Sequence, residues 1–200
     1  MPIKFLANKN TIIFGQTGAG KTYFMLEVIR QKLIHPFPKH IYYMYNIEQD
    51  FMYTWNETEE QKITFIQGLG VEQMDTSEPS LLVIDDLLLS TNKAVVEMFI
   101  LGSHHKQISI FYLTQNCSMN RTMSNNAHYY VLFYNQRNFR QVHTLAHQIY
   151  VGKDVQRITN AYKRAGKQQR GFIVLSFAQG LPEELTVVTD WWRPCPTVYL

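Results

Sequence analysis

The chain has little cysteine: two residues in 200, Cys117 and Cys195, far apart and with no C-x-x-C partner. That excludes a disulfide framework and a zinc ribbon and points to a reducing compartment, so both thiols are expected to be packing residues. No apolar run approaches the ~18 residues that would cross a bilayer, and the opening stretch MPIKFLANKN holds no apolar core of a secretory signal. The expectation is an intracellular protein without a membrane-spanning segment, in which the N-x-S/T matches at Asn56, Asn116 and Asn120 are chance. Internal repeats, low-complexity tracts and linkers are also lacking, and a chain of this length with 46% apolar residues is expected to form a single domain over 1–200 around one core. Acidic residues are scarce in one region. Residues 104–170 carry 10 Lys and Arg against the lone acid Asp154, whereas residues 1–103 carry 8 against 12 acids. Behind a net charge of +3 lies an asymmetry that suits a face for a polyanion, although a solvated basic surface gives the same count.

What the chain does have is alternation. Apolar runs bounded by polar or turn residues recur at 11–15, 40–46, 62–68, 80–86, 107–115, 128–134, 171–177 and 184–190, and they predict strands. Helical patterns fall between them at 22–34, 92–105, 138–149 and 154–165. Strand and helix in alternation predict an α/β fold with a mainly parallel sheet flanked by helices. The pair Pro36 and Pro38 stops the first helix, the polar run 47–61 reads as a surface excursion, and the tail WWRPCPTVYL (191–200) is expected to dock on the domain or on a neighbour.

The first strand runs into Gly15-Gln16-Thr17-Gly18-Ala19-Gly20-Lys21-Thr22, which satisfies G-x-x-x-x-G-K-[ST] between a strand and a helix. Glycines let successive backbone N–H groups turn inward around phosphate oxygens, and the following helix aims its N-terminal dipole at the same anion. Lys21 is expected to reach the β- and γ-phosphates of ATP, and the Thr22 hydroxyl to ligate Mg²⁺. A second acid for the metal stands at the end of the run LLVID: Asp85, at the carboxyl edge of a buried strand. Asp86 beside it is placed to polarise a water for attack on the γ-phosphate, which favours hydrolysis over transfer to a small acceptor. The run ISIFYLT ends in Gln115-Asn116, and an amide there can bond both the attacking water and the γ-phosphate, so Gln115 is the expected phosphate sensor.

Phosphate loop, strand ending in two acids and strand ending in Gln, in this order, resemble the FtsK–HerA superfamily of DNA-pumping ATPases. The segment GSHHKQISIFYLTQN, with RTMSNNAHYYVLFYNQRNFRQVHTLAHQIYVGK after it, is similar to the genome-packaging ATPases of double-jelly-roll DNA viruses, Polinton-type elements and virophages, relatives of the poxvirus packaging ATPase. The resemblance covers roughly residues 8 to 155 and implies a P-loop NTPase fold of the additional-strand catalytic-acid type. It implies that the loop binds ATP, that Asp85 and Asp86 serve metal and water, and that Gln115 is the sensor. Close relatives often carry Arg where this chain has Lys106, a candidate for the cation that reaches a neighbour's nucleotide. Because Lys lacks the planar fork of Arg, that role is open also to Arg121, Arg137 and Arg140.

The run KDVQRITNAYKRAGKQQR (153–170) concentrates Lys153, Arg157, Lys163, Arg164, Lys167 and Arg170. Such clusters read backbone phosphates without sequence preference, so Arg157, Lys163, Arg164, Lys167 and Arg170 are the expected contacts to double-stranded DNA, against the plain reading of a solvated helix face. No His, Cys and Asp set shows familiar ligand spacing, which leaves Mg²⁺ as the expected metal. Taken together, these readings predict an ATP-driven motor that assembles as a homo-oligomeric ring, contacts capsid vertex proteins and moves viral DNA into a preformed capsid within the infected host. A nucleoside or nucleotide kinase would need an acceptor pocket and usually an Arg-rich lid, and leaves the Asp85-Asp86 pair and Gln115 without a task. A GTPase would need N-K-x-D, and the Asn-Lys pairs here continue as Asn10-Thr11 and Ala94-Val95. A nucleotide-gated clamp at a capsid vertex is the non-enzymatic alternative.

Overall fold

The computed structural model describes residues 3–85, 87, 93–105, 107–116, 121–193 and 195–200, with the side chains of 94 and 101–105 excepted. All eight apolar runs become strands of one nine-stranded sheet. In chain order the strands are β1 (Phe5–Leu6), β2 (Asn10–Phe14), β3 (Ile34–His35), β4 (His40–Tyr45), β5 (Thr64–Gln67), β6 (Ser80–Asp85), β7 (Ile108–Thr114), β8 (Tyr129–Phe133), β9 (Phe172–Ser176), β10 (Val187–Thr189) and β11 (Thr197–Val198). The helices are α1 (Lys21–Arg30), α2 (Phe51–Thr58), α3 (Lys93–His105), α4 (Arg121–Asn125), α5 (Phe139–Ile149) and α6 (Lys153–Ala165). The sheet order is β11-β10-β9-β8-β2-β7-β6-β4-β5, and β1 pairs separately with β3.

From β8 to β5 every pairing is parallel, whereas β9, β10 and β11 join antiparallel. The switch has a simple cause. Two helices, α5 and α6, separate β8 from β9, so the chain re-enters the sheet at the end where it left, and Phe133 lies opposite Phe172. Single crossovers elsewhere return each strand to the same starting edge.

Successive side chains on a strand point to opposite faces. Ile12, Phe14, Ile84, Ile110 and Leu132 pack on one face with Phe99 of α3, Val142 of α5 and Ile158 of α6. Ile13, Val83, Leu113 and Val131 pack on the other with Phe24 and Val28 of α1 and Trp55 of α2. Strands covered on both faces carry no polar alternation, which is why they read as continuous apolar runs. Among the described residues no helix is long and apolar enough to cross a membrane.

The first helix is shorter than its apolar pattern predicts. It stops at Arg30 because Lys32 takes a left-handed conformation (φ 52), with Lys32 N–H donating to Ile29 C=O and Leu33 N–H to Val28 C=O. That is a Schellman ending, and it frees Ile34 to pair in β3 beside Phe5. The polar excursion 47–61 contains α2, whose only fully buried residue is Trp55, its indole donating to Gln61 C=O at 2.7 Å. Asn56 closes the same loop by donating to Ile63 C=O and accepting from Ile63 N–H, both at 2.8 Å. The run 184–190 is half strand: Glu183–Thr186 forms a 3₁₀ turn after Pro182, and pairing begins at Val187. Cys195 is exposed, contrary to the packing role expected of it, and Cys117 lies outside the described residues.

The tail docks on the domain through Trp191. Its ring is fully buried, stacks on Phe5 with centroids 4.9 Å apart, and meets Tyr129 edge-on at 6.2 Å. Val198 of β11 then pairs with Val188. Trp191→Ala would leave a large cavity among these rings and is expected to lower the unfolding free energy by about 3–5 kcal/mol in urea titration. A change below about 1 kcal/mol would mean that the tail is held elsewhere.

Candidate nucleotide site

Parallel pairing brings the functional strands to one edge. Phe14 lies opposite Thr114 and Asp85 opposite Leu113, so the phosphate loop, the acid and Gln115 leave the sheet within about a residue of one another. Strand β7, which carries Gln115 beyond its end, is inserted between the loop strand β2 and the acid strand β6. The last ladder bond runs from Gly15 N–H to Thr114 C=O at 3.1 Å, and the loop departs from there.

Gly15 is required by contact. A Cβ there would stand 2.9 Å from the Phe133 Cβ and 3.1 Å from that of Ala19, so any side chain would push the loop off β8. Gly20, with φ 107, turns the chain into α1, and a Cβ on it would meet the stem of Arg170 at 3.3 Å. Lys21 is buried, its ammonium donating to Gly15 C=O at 2.7 Å and to Gln16 C=O at 3.2 Å. The cation thus bridges the loop's own carbonyls beneath the turn. Two contacts brace the rim: Thr17 donates its hydroxyl to Gln115 Oε1 at 3.0 Å, and Asn135 donates to Gln16 Oε1 at 2.7 Å. Asn135 is itself held by Tyr162 of α6, whose hydroxyl accepts from Asn135 N–H at 2.9 Å and donates to Phe133 C=O at 2.9 Å.

The Asp85 carboxylate is built in more firmly than its strand-end position required. Its Oδ2 accepts from the Tyr43 hydroxyl at 2.6 Å and from Gln49 Nε2 at 2.9 Å, and it stands 3.5 Å from Thr22 Oγ1. Burial, then the neighbouring negative charge, raises the Tyr43 pKa well above that of a free phenol, so the residue remains a neutral donor. Sequence reasoning missed Tyr43, Gln49, Asn135 and Tyr162. Tyr43 was concealed in an apolar strand, and Gln49 in an excursion of polar residues with no distinguishing pattern. The glycine turn and the buried ammonium fit a polyphosphate, and the Thr22 hydroxyl beside the Asp85 carboxylate offers the hard oxygen donors Mg²⁺ prefers.

A cleft of ≈ 750 Å³ lies over the loop, lined among others by Thr17, Lys21, Thr22, Gln49, Asp85 and Gln115. Arg170 also lines it, its guanidinium 5.3 Å above the Tyr23 ring. The basic run 153–170 therefore does not present one face. Arg170 turns to the loop, and Arg157 is largely covered, 3.8 Å from Asp154, with its Nε buried and unpaired. Lys163, Arg164 and Lys167 are exposed, Lys163 over the Phe139 ring at 5.0 Å and Arg164 over Tyr199 at 6.0 Å. Arg121 and Arg140 line a separate cleft of ≈ 800 Å³ between α4 and α5 that shares no lining residue with the first, and Arg137 is exposed in the turn after β8. Asp86 and Lys106 lie outside the described residues.

Loop, inserted strand and strand-end acid define a P-loop NTPase fold of the additional-strand type, with a mostly parallel sheet flanked by helices. At the level of sequence, no family model and no curated protein matches the chain. Solved structures do. The genome packaging NTPase B204 from Sulfolobus turreted icosahedral virus 2, in complex with AMPPCP, is similar with a TM-score of 0.58 at 11% identity, over 94% of this chain and 98% of that one. Its complex with ATP-gammaS gives 0.56 at 11% identity over the same shares. B204, the DNA-packaging ATPase from Sulfolobus Turreted Icosahedral Virus, gives 0.55 at 11% identity over 97% and 98%.

Removing the phenol of Tyr43 tests the carboxylate arrangement. Tyr43→Phe keeps the ring in the core and deletes the shortest bond to Asp85, so the gain in ATP affinity that Mg²⁺ confers is expected to fall about 10–100-fold. Affinity measured in excess chelator should not change. Equal weakening in both conditions would show that Tyr43 supports the loop rather than the carboxylate.

Proposed function

We propose that the chain is an ATP-hydrolysing motor that moves double-stranded viral DNA into a preformed capsid as a homo-oligomeric ring. The observation that carries this reading is the convergence of phosphate loop, Asp85 and Gln115 on one sheet edge, in a fold that viral packaging NTPases share over nearly their whole length. In this reading the loop N–H groups and Lys21 hold the phosphates of ATP. Thr22 and Asp85 would hold Mg²⁺, which supplies charge against the β- and γ-phosphates when bound. Gln115, already bonded to Thr17 at the loop rim, is positioned to feel the presence of a γ-phosphate and pass it to the loop. Asp86, the residue after β6, takes the role of the base that polarises water.

Coupling to DNA is assigned to the exposed cations Lys163, Arg164 and Lys167, since Arg157 is engaged within its own helix and Arg170 faces the loop cleft. One such α/β domain does not encircle a duplex, which is why the motor reading requires a ring. In a ring, Lys106, or Arg121, Arg137 or Arg140, would reach a neighbour's nucleotide. The place of work is the assembling virion in the infected host, with capsid vertex proteins as the docking partners.

Steady-state hydrolysis of ATP with and without duplex DNA, across protein concentration, tests the motor. Turnover is expected to rise with DNA and more steeply than protein concentration. Lys21→Ala should greatly weaken nucleotide binding, whereas Asp86→Asn should bind nearly as the parent and stop turnover. Hydrolysis by Asp86→Asn at the parental rate would remove Asp86 from the chemistry. Turnover indifferent to DNA would leave an NTPase without a motor.

Salt dependence tests the basic residues separately. Replacing Lys163, Arg164 and Lys167 by Ala should weaken duplex binding for all sequences alike, each lost phosphate contact reducing the log–log salt slope by ~0.9. An unchanged slope would assign these cations to a protein interface or to solvent.

A further inference from the structure

A second, smaller space of ≈ 140 Å³ opens on the far side of Gly20 from Asp85 and Gln115. It shares Gly20, Tyr23 and Arg170 with the phosphate cleft, and its remaining wall comes from Phe133, from the turn at 168–171 with Phe172 after it, and from Asp190, Trp192 and Arg193. That volume suits a flat ring system rather than a whole nucleotide; at about 30 Å³ per water, only a few waters would fill it. Tyr23, the residue following the loop's Thr22, is 51% exposed although large and aromatic, with Arg170 stacked on its ring. Deeper in, the Trp192 ring packs on Phe24 at 5.1 Å and on Phe172 at 5.0 Å. At the rim, the Asp190 carboxylate lies 3.5 Å from the Gln168 amide nitrogen and 3.2 Å from Arg193 Nε. Asp190 holds this place in a left-handed conformation (φ 56).

We propose that this space is the seat of the nucleobase, an adenine, with the Tyr23–Arg170 pair as its stacking wall and Asp190 as the acceptor for the exocyclic amino group. The inference rests on the reading of residues 15–22 as a nucleotide phosphate loop. The chemistry runs along one line. The groups that suit the terminal phosphate, Asp85 and Gln115, lie at one end of the loop cleft, so the sugar and base must leave by the other, where Tyr23 and Arg170 stand. An exposed ring with a guanidinium on it offers a planar π surface at that exit. A carboxylate with an amide beside it presents an acceptor and a donor, the complement of an adenine's amino group and ring nitrogen. Among the described residues Tyr23 has no hydrogen bond or ion pair in the phosphate cleft, and Asp190 is held at the rim by Arg193 and Gln168 with acceptor capacity left on its two oxygens. Arg170, part of the basic run by sequence, becomes part of the nucleotide pocket by position.

Equilibrium binding to the full chain, with ATP, inosine triphosphate and inorganic triphosphate as probes, decides the matter. The parent should bind ATP about tenfold or more tightly than either inosine triphosphate, which has a carbonyl in place of the amino group, or inorganic triphosphate, which has no base. Tyr23→Ala should lower ATP affinity toward that of inorganic triphosphate and leave the latter unchanged, while Tyr23→Phe restores it. Asp190→Ala should erase the preference for ATP over inosine triphosphate. If the parent binds ATP and inorganic triphosphate equally, the seat is overturned while the phosphate loop stands. Tyr23→Ala weakening both probes equally also overturns it, because the ring would then act on the loop. Should the parent bind none of the three, the phosphate-loop reading fails and the base seat fails with it.

Discussion

The rung that carries Gly15 N–H to Thr114 C=O is the constraint on which the site depends. It ends the pairing of β2 with β7 and sets the height at which the glycine turn leaves the sheet. Parallel register then does the rest: with Asp85 opposite Leu113, the carboxylate arrives at the same height from β6, and Gln115 follows one residue beyond the rung. A register slip of one residue would reverse the face of every side chain on the slipped strand. The two apolar layers forbid it, because Ile13 and Val83 are buried on one face while Ile12, Phe14 and Ile84 are buried on the other.

Around that edge the protein invests polar contacts where a water-filled turn would otherwise be loose. Lys21 bridges loop carbonyls from below, Gln115 takes a bond from Thr17, and Asn135 takes hold of Gln16 from the end of β8. Asn135 is held in turn by Tyr162, so α6 supports the phosphate loop at one remove while exposing Lys163 and Arg164. A pull on α6 from a bound polyanion would therefore have a short path of bonded groups to the loop, through Tyr162, Asn135 and Gln16. In the same way Gln49, at the entrance to α2, ties the excursion 47–61 to the Asp85 carboxylate.

The antiparallel flank β9-β10-β11 has a consequence for the cleft. Because α5 and α6 return the chain to the edge where β8 ended, the turn before β9 arrives beside Gly20, and with it Arg170. Had a single helix joined β8 to β9, that turn would have emerged at the opposite edge, far from the phosphate loop. The C-terminal segment then closes the other side, with Trp191 anchored against Phe5 and Trp192 packed against Phe24.

Much of this was written plainly in the chain. Most of the apolar runs are strands covered on both faces and so apolar throughout, the edge strand β5 being the half-exposed exception, and the G-x-x-x-x-G-K-T turn is recognisable because its steric needs admit few residues. Local pattern also marked the acid after LLVI and the amide after ISIFYLT. It failed where a residue's role is set by what lies opposite in space. Lys32 ended a helix that its apolar spacing would have continued, and α2 was invisible because only Trp55 of its residues is fully buried. Charge counting grouped Arg157 and Arg170 with Lys163, Arg164 and Lys167, since along the chain they are neighbours. Burial beside Asp154 and the turn into β9 separate them, and no one-dimensional spacing encodes either. The sequence by itself determined the strands β2 and β4 to β10, the order of their functional ends and the chemistry of the loop, because those follow from local sterics and periodicity, whereas the short pairings β1, β3 and β11 carry no such pattern. Only the tertiary structure decided which strands run antiparallel, which hydroxyl and amide hold Asp85, and which cation faces the loop, because these depend on contacts between residues 36 to more than 100 positions apart.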